Sequence, residues 1–237
     1  MTAPARTTLP PVVCLLGGES SGKTTLSTTL CGSLKQHHGL SVAGVSEHLR
    51  IWCERHQRAP RANEQAAIAC EQTRQIQEAQ ASPGVQLVIA DTSALTVAAY
   101  SALYFADPTL LPPALATQSL YASTLLMGLD LPWRPDGLFR DGPAHRADAD
   151  TLLRRELQAQ RIPFHAIYGT GDQRLRNALR ALTPILSPLL GQAPVSTDEL
   201  RTQGRPGWVC EACSDPDCEH RLFSKLLSNH ATASNAP

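Results

Sequence analysis

The sequence predicts an α/β fold, a three-layer α/β/α sandwich built on a mainly parallel sheet. Three observations support this prediction: five short apolar runs, longer helix-favouring stretches between them, and a glycine-rich loop directly after the first run. Strands that alternate with helices form βαβ units, and such units assemble parallel sheets. The sequence shows no internal repeat.

The apolar runs give the five predicted strands. They are VVCLL at residues 12–16, LSVAGVS at 40–46, VQLVIAD at 85–91, STLLMGLD at 123–130 and PFHAIYG at 163–169. Apolar runs of this length, bounded by turn residues, are typical of strands buried in a parallel sheet.

Helices are predicted between these strands, at residues 23–37, 61–81, 94–105, 113–123, 150–160 and 172–190. In the first of them, Leu26, Leu30 and Leu34 are spaced four residues apart, which places them on one helix face. The stretch at 61–81 is rich in Ala, Gln and Glu and contains neither Gly nor Pro, so its composition favours a helix. Residues 131–149 are crowded with Pro, Gly, Asp and Arg and are predicted to form a long loop.

Length and charge exclude several classes of protein. A chain of 237 residues can bury one large core but is short for two full domains. Its formal net charge of +0 gives no electrostatic footprint for nucleic acid. No run reaches the roughly 18 apolar residues of a membrane helix, and MTAPARTTLPP at the start does not resemble a secretory signal. We therefore expect a cytoplasmic protein, in which disulfides are rare.

The composition divides the chain into three parts. Residues 11–190 are predicted to form the α/β domain. Residues 191–207 are polar and rich in Gly and Pro, which is typical of a linker. Residues 208–230 form a compact tail rich in Cys and His.

The loop after the first strand matches the P-loop pattern GxxxxGK[ST]. The candidate nucleotide-binding residues are Gly17, Gly18, Glu19, Ser20, Ser21, Gly22, Lys23, Thr24 and Thr25. Glycines let successive backbone N–H groups face one concavity, and the helix that follows adds its positive N-terminal end. In this motif the lysine reaches the β- and γ-phosphates and the threonine hydroxyl binds Mg²⁺. The alternative is a tight glycine turn without a ligand, but an apolar strand before the loop and a helix after it favour a P-loop NTPase fold. No guanine-reading NKxD-like motif is visible, which favours ATP or a promiscuous site.

Three further strands end in acidic residues. Glu47 follows the second strand, Asp91 ends the third and Asp130 ends the fourth. Ligands of open α/β sheets bind beyond the carboxyl ends of the strands. Asp91 is therefore a candidate Mg²⁺ ligand together with Thr24, and Glu47 is a candidate for holding an acceptor hydroxyl. The alternative for each acid is a helix N-cap or a solvated carboxylate.

The segment PWRPDGLFRDGPAHR at residues 132–146 carries Arg134, Arg140 and Arg146. Arginines in a loop beside a phosphate site can close over the nucleotide and neutralise the charge that develops during transfer. The alternative is a polar surface loop with paired charges.

Four segments together resemble a known family. GGESSGKTTL at 17–26, SEHLR at 46–50, VIADTSALT at 88–96 and LDLPWRPDGLFR at 129–140 occur in this order. They resemble the nicotinamide riboside kinase domain of the trifunctional bacterial NAD-biosynthesis regulator, within a wider group of AAA-like ATPase and kinase domains. The most discriminating piece is the D-x-x-W-x-x-D-G-x-x-R arrangement, which has one residue more than the usual DGLR spacing of the family. No counterpart of the regulator's DNA-binding part is visible, so no nucleic-acid partner is expected.

The resemblance implies ATP-dependent, Mg²⁺-dependent phosphorylation of a nucleoside 5′-hydroxyl, and hence NAD biosynthesis. It implies a catalytic set of Lys23, Glu47, Asp91 and Arg140. Glu47 and Arg50 match the acid and the base of the family's E-Y-A-R motif, although His48 replaces the aromatic residue. Arg146 matches a second lid arginine, and Gln72 matches a glutamine on the helix that faces the substrate.

The tail contains a candidate zinc site. Cys210, Cys213, Cys218 and His220 give C-x₂-C-x₄-C-x-H, and His230 is an alternative fourth ligand. Three cysteines and one histidine form an accepted tetrahedral Zn²⁺ site, and a reducing compartment favours metal over disulfide. The alternatives are a redox-active pair or unligated thiols.

Two functions fit these observations. The first is a kinase acting on a small nucleoside-like acceptor such as nicotinamide riboside. The second is an ATPase switch or assembly factor that recruits a protein partner through the Cys/His tail. Nucleic-acid binding by the tail is disfavoured, because its acidic residues outnumber the basic residues nearby.

Overall fold

A computed structural model describes residues 9–134 and 143–192 of the chain. Five parallel strands form one sheet in the order β2-β3-β1-β4-β5. The strands are β1 (Val12–Leu16), β2 (Val42–Val45), β3 (Leu87–Asp91), β4 (Ser123–Met127) and β5 (His165–Ile167). All five predicted strands are present, and the predicted parallel α/β fold is confirmed.

The central strand β1 sets the position of the site. It pairs with β3 on one side, where Leu15 lies opposite Asp91, and with β4 on the other, where Leu16 lies opposite Leu126. Every residue of β1 is buried, because helices cover both faces of the sheet. The carboxyl ends of β1, β3 and β4 therefore meet at one edge of the sheet.

Eight α-helices lie in the described ranges. They are α1 (Lys23–His38), α2 (His48–His56), α3 (Gln65–Ala81), α4 (Ala94–Phe105), α5 (Leu111–Gln118), α6 (Pro143–Ala159), α7 (Gly171–Ala181) and α8 (Thr183–Leu189). Within residues 9–134 and 143–192, none of the helices combines the length and hydrophobicity that a membrane span requires.

Buried hydrophobic side chains of the described residues form three clusters, which occupy both faces of the sheet. Val13 and Leu15 of β1 point into a core with α1, α7 and α8, to which α1 contributes Leu26, Leu30 and Leu34. Cys14 and Leu16 point the other way, into a core with α3, α4, α5 and α6. The alternation follows from the two-residue period of a strand. The three layers are thus helices, sheet and helices, as predicted.

Several helices differ from the sequence prediction. Helix α5 spans Leu111–Gln118 rather than residues 113–123. Helix α2 was not predicted, because it has only nine residues and its apolar face, Leu49, Trp52 and Cys53, extends over about one turn. Helix α6 begins at Pro143 rather than at residue 150, so the end of the predicted loop is helical; proline suits a first helical turn, where its missing N–H costs nothing. The predicted helix at 172–190 is two helices, because Pro184 cannot donate to the ladder of α7.

Candidate functional site

The P-loop links β1 to α1 at the carboxyl edge of the sheet. Positive φ angles at Gly17 (147°), Ser20 (52°) and Gly22 (81°) turn the chain sharply, and Gly22 is the left-handed N-cap of α1. No acidic residue lies in the first turn of α1. The positive end of the helix therefore keeps its attraction for an anion at this loop.

Lys23 is anchored to the loop that precedes it. Its side chain is buried, and Nζ donates hydrogen bonds to the carbonyl oxygens of Gly17 (2.9 Å) and Gly18 (3.0 Å). The Ser21 hydroxyl also donates to Gly18 O, over 2.7 Å. The ammonium group is thus held at the loop, where P-loop lysines meet phosphate oxygens.

Thr24 and Asp91 form the second part of the site. Thr24 Oγ1 donates to Asp91 Oδ2 over 2.6 Å, because the register of β1 and β3 brings the start of α1 next to the end of β3. Asp91 is buried, and its Oδ1 has no hydrogen-bond partner among the described residues. A hydroxyl beside a carboxylate oxygen with spare accepting capacity fits Mg²⁺, which takes one or two protein oxygens together with substrate phosphates. The predicted pair is therefore assembled in a form that suits this ion.

The residue after Asp91 is strained. Thr92 has φ 83°, a conformation that a β-branched residue adopts only under constraint. Its hydroxyl donates to Thr96 Oγ1 over 2.5 Å, and Ser93 caps α4 by accepting from Leu95 N. The strained residue lies next to the candidate Mg²⁺ ligand, at the point where the chain turns away from the end of β3. Nothing in the sequence signals it.

Glu47 lies at the same edge, two residues beyond the end of β2. It occupies the N-cap position of α2, but its side chain makes no cap hydrogen bond. The side chain is 13% exposed, and Arg50 Nε lies 3.8 Å from its Oε2. The alternative role as a capping residue therefore does not account for this carboxylate.

Gln72 holds the backbone on both sides of Glu47. Its Oε1 accepts from His48 N over 2.7 Å, and its Nε2 donates to Ser46 O over 3.2 Å. Gln72 is fully buried on α3. Both ends of its amide are thus engaged with the chain around Glu47, rather than presented to a substrate.

Asp130 has a structural role in this arrangement. Its Oδ2 accepts from Gly169 N over 2.6 Å, and its Oδ1 accepts from Arg174 over 2.5 Å. Both carboxylate oxygens therefore have donors, one from the segment after β5 and one from α7. Of the three strand-end acids, this one is the least available to a ligand.

The arginines of the segment 132–146 differ in position. Arg134 is tied to the P-loop through its backbone, because Ser20 Oγ donates to Arg134 O over 2.6 Å. Arg146 is 5% exposed, and its backbone packs against Gly18. One of its terminal nitrogens donates to Leu131 O over 2.8 Å, while Nε and the other terminal nitrogen have no partner among the described residues. Arg140 lies outside the described residues.

Burial dominates the electrostatics of Arg146. Desolvation lowers the pKa of its guanidinium, while Asp130 and Asp150 act in the opposite direction. A buried guanidinium with unused donors is stabilised by an anion that accepts from them. Arg146 is thus a buried cation beside the P-loop. The sequence pointed to it as one of the arginines of a polar segment, and the family resemblance pointed to it as a second lid arginine.

Position 18 requires glycine because the P-loop backbone packs closely against α6 there. A Cβ added there would lie 2.7 Å from Arg146 O and 3.0 Å from Arg146 Cγ. We expect Gly18→Ala to lower the free energy of unfolding by about 1–3 kcal/mol, since two packed backbones must separate. Gly32→Ala is the control, because a Cβ at this site in α1 meets nothing within 4 Å. It should raise stability by about 0.5–1 kcal/mol. Urea denaturation measures both variants, and equal stability would contradict the packing described.

The predicted zinc ligands Cys210, Cys213, Cys218 and His220 lie outside the described residues. Within residues 9–134 and 143–192, no group of three or more His, Cys, Asp and Glu side chains could hold a metal ion. Zinc binding by the tail stays a prediction.

Comparisons with known proteins agree with this fold. Residues 12–174 match the AAA domain family. Two structures of a NadR protein share the fold: one, in complex with NAD and AMP-PNP, has a TM-score of 0.59 at 20% identity, and the other, in complex with NR, has 0.62 at 21%. Each covers 78% of this chain, which spans only 51% and 53% of those chains.

A thymidylate kinase from Ehrlichia chaffeensis also shares the fold, with a TM-score of 0.54 at 15% identity. The match covers 74% of this chain and 99% of the kinase. No curated protein matches the sequence significantly. The family and the P-loop together fit an ATP-binding phosphotransferase or ATPase, as the sequence predicts. The match to residues 12–174 covers more than half of the chain, and the chain therefore belongs to the AAA domain family.

Proposed function

We propose that the chain is a P-loop kinase that transfers the γ-phosphoryl group of ATP to a hydroxyl of a small nucleoside-like acceptor. The observation that carries the proposal is Glu47 at the P-loop edge of the sheet: its carboxylate makes no capping bond, and Gln72 holds the backbone on both sides of it. A kinase needs such a group to orient or deprotonate its acceptor. Nicotinamide riboside is the first acceptor to test, since a NadR protein solved with NR shares the fold.

In the proposed mechanism the P-loop amides and Lys23 bind the phosphates of ATP. Thr24 and Asp91 would hold Mg²⁺, which when bound neutralises charge on the β- and γ-phosphates. The acceptor oxygen forms a bond to the γ-phosphorus while the bond from that phosphorus to the β–γ bridging oxygen breaks, and ADP leaves. Glu47 accepts the proton that the acceptor hydroxyl loses.

Arg146 is proposed to contact the transferring group. Its Nε and one terminal nitrogen are buried without partners among the described residues, and Gly18 of the P-loop packs against its backbone. Guanidinium donors match phosphoryl oxygens and stabilise the charge that spreads over them during transfer. Arg140, which the resemblance implies is a lid arginine, is proposed to stabilise the same transferring group.

Glu47→Gln tests this proposal. The amide keeps the size of the side chain but cannot take a proton, so we expect phosphorylation of the acceptor to fall by about 10²–10⁴-fold. Binding of ATP should change by less than about twofold, since Glu47 is not assigned to the phosphates. A coupled assay of ADP release, with and without nucleosides, separates transfer from hydrolysis.

The matched control is Glu54→Gln, an exposed glutamate on the same helix. It should leave turnover unchanged. Undiminished acceptor phosphorylation in Glu47→Gln would refute the role given to this residue. ADP release that no acceptor stimulates in the wild-type protein would instead favour the ATPase switch with a partner at the Cys/His tail.

A further inference from the structure

We propose that Arg174 is a positioning residue that shapes the P-loop for nucleotide binding, and that Asp130 holds it in place. The proposal rests on the nucleotide site described above but not on the identity of an acceptor. Arg174 lies in the first turn of α7 and is 4% exposed. It is distant from the P-loop in sequence, and no motif marks it.

Each guanidinium nitrogen of Arg174 donates to a different segment of the chain. Nε donates to Gly169 O beyond β5 over 2.7 Å, and one terminal nitrogen donates to Asp130 Oδ1 beyond β4 over 2.5 Å. The other terminal nitrogen donates to Ser21 O in the P-loop, also over 2.5 Å. Because Asp130 Oδ2 accepts from Gly169 N, the three segments are closed into one network.

The contact with Ser21 has a direct consequence for the loop. In a trans peptide the C=O and the following N–H point in opposite directions. Arg174 fixes the C=O of Ser21, so the N–H of Gly22 must point away from Arg174. Backbone N–H groups of this loop are the donors that hold phosphate in a P-loop. Arg174 therefore orients one of these donors before any nucleotide arrives.

The neighbouring glycine is adapted to this contact. A Cβ on Gly22 would lie 3.1 Å from the Arg174 nitrogen that reaches Ser21, and the φ angle of 81° disfavours any other residue. The arginine and the glycine thus fit each other across the loop.

Stability alone does not explain why the guanidinium of Arg174 is buried at this point. Only 5% of the Arg174 side chain is exposed, against 29% of the Asp130 side chain, so the arginine gives up most of its hydration. Taking a charge out of water costs free energy, and an apolar pair of similar volume is often as stable. Desolvation by burial is the main influence on the pKa of Arg174 and lowers it, while Asp130 opposes that effect. The geometry of three directed hydrogen bonds is what an apolar pair could not supply.

Arg174→Lys separates positioning from charge. Lysine keeps the positive charge beside Asp130, but its single nitrogen cannot reach three acceptors in a fixed fork. We expect the Kd of a fluorescent ATP analogue in the presence of Mg²⁺ to rise about tenfold or more, as for the loss of one well-aligned hydrogen bond. The full chain is used, and the thermal midpoint is measured on the same samples.

Asn177→Ala is the matched control. Asn177 lies on the same helix and donates to Tyr168 O over 3.0 Å, so its loss removes one hydrogen bond between α7 and the residue after β5 without touching the P-loop. We expect a lowered thermal midpoint and a Kd within about twofold of the wild type. If Arg174→Lys lowers the midpoint to the same extent but leaves the Kd unchanged, Arg174 is merely structural and the proposal is wrong.

Asp130→Asn tests the proposal if the Arg174→Lys variant does not fold. The side-chain oxygen of asparagine can accept from Arg174 or from Gly169, and it carries no full negative charge. The Kd of the ATP analogue should therefore rise again. An unchanged Kd in this variant would also overturn the proposal. A wild-type protein that binds ATP but phosphorylates nothing would refute the kinase alone. A wild-type protein without measurable affinity for ATP would refute both proposals.

Discussion

Lys23→Met is expected to lower ATP turnover by about 10²–10³-fold, the cost of removing one preorganised donor from a site of developing charge. The lysine is buried and held by the carbonyl oxygens of Gly17 and Gly18, so its ammonium group is in place before the nucleotide binds. Methionine keeps the apolar stem of the side chain and removes the charge. The fold should therefore survive, and steady-state ADP release measures the loss.

The matched control for this prediction lies at the other end of the same helix. Lys35 is exposed in the last turn of α1, and Lys35→Met should leave turnover within about twofold of the wild type. Comparable turnover in the Lys23 and Lys35 variants would contradict the assignment of Lys23 to the phosphates.

Asp91→Asn is expected to produce the second large effect, a fall in turnover of about 10²–10³-fold at low Mg²⁺. Asparagine can still accept from the Thr24 hydroxyl, so the hydrogen bond between α1 and β3 is kept. The negative charge that would attract Mg²⁺ is lost. In place of the unpartnered Oδ1, asparagine presents either an amide nitrogen or an uncharged amide oxygen, which is a weaker ligand. The Mg²⁺ concentration that gives half-maximal turnover should therefore rise at least about tenfold.

A titration of turnover against Mg²⁺ checks this prediction. Asp107→Asn is the control, because Asp107 follows the far end of α4 and accepts only from Thr109 in the bonds described. It should not shift the Mg²⁺ dependence. An unshifted midpoint in Asp91→Asn would remove Asp91 from the metal site and leave it a structural partner of Thr24.

The sequence predicted the strands and the P-loop because their signals are local. VVCLL is apolar throughout and is followed at once by the glycines and the lysine of the motif, and the structure buries all of this strand at the centre of the sheet. Asp91 was identified for the same reason, since a strand end followed by a helix start is visible in the chain itself.

The contacts that position the site could not be predicted in this way. Arg174 and Ser21 are 153 residues apart in sequence, and Gln72 lies 24 residues from the backbone N–H that it accepts from. Neither pair belongs to a motif with fixed spacing. Such contacts follow from the sheet order, which brings α7 next to the P-loop and α3 next to the chain after β2 only after folding.

Helix α2 and the start of α6 were missed for a related reason. The apolar face of α2 extends over only about one turn and the start of α6 is mostly polar, so hydrophobic periodicity does not reveal them. Asp130 shows the opposite case, a residue whose position in the sequence suggested a ligand-binding role and whose contacts are structural. Its place after a strand suggested a ligand, but a strand-end acid can equally accept from neighbouring loops, and here it accepts from Gly169 and Arg174.

The central claim is transfer of a phosphoryl group from ATP to an acceptor hydroxyl. The most direct measurement is mass spectrometry of a reaction of the wild-type chain with ATP, Mg²⁺ and a panel of acceptors. The panel contains nicotinamide riboside, the common nucleosides and thymidine monophosphate, the last because a thymidylate kinase shares the fold. We predict one acceptor that gains a single phosphoryl group, in an amount equal to the ADP formed. ADP with an equal amount of inorganic phosphate, and no modified acceptor, would contradict the account.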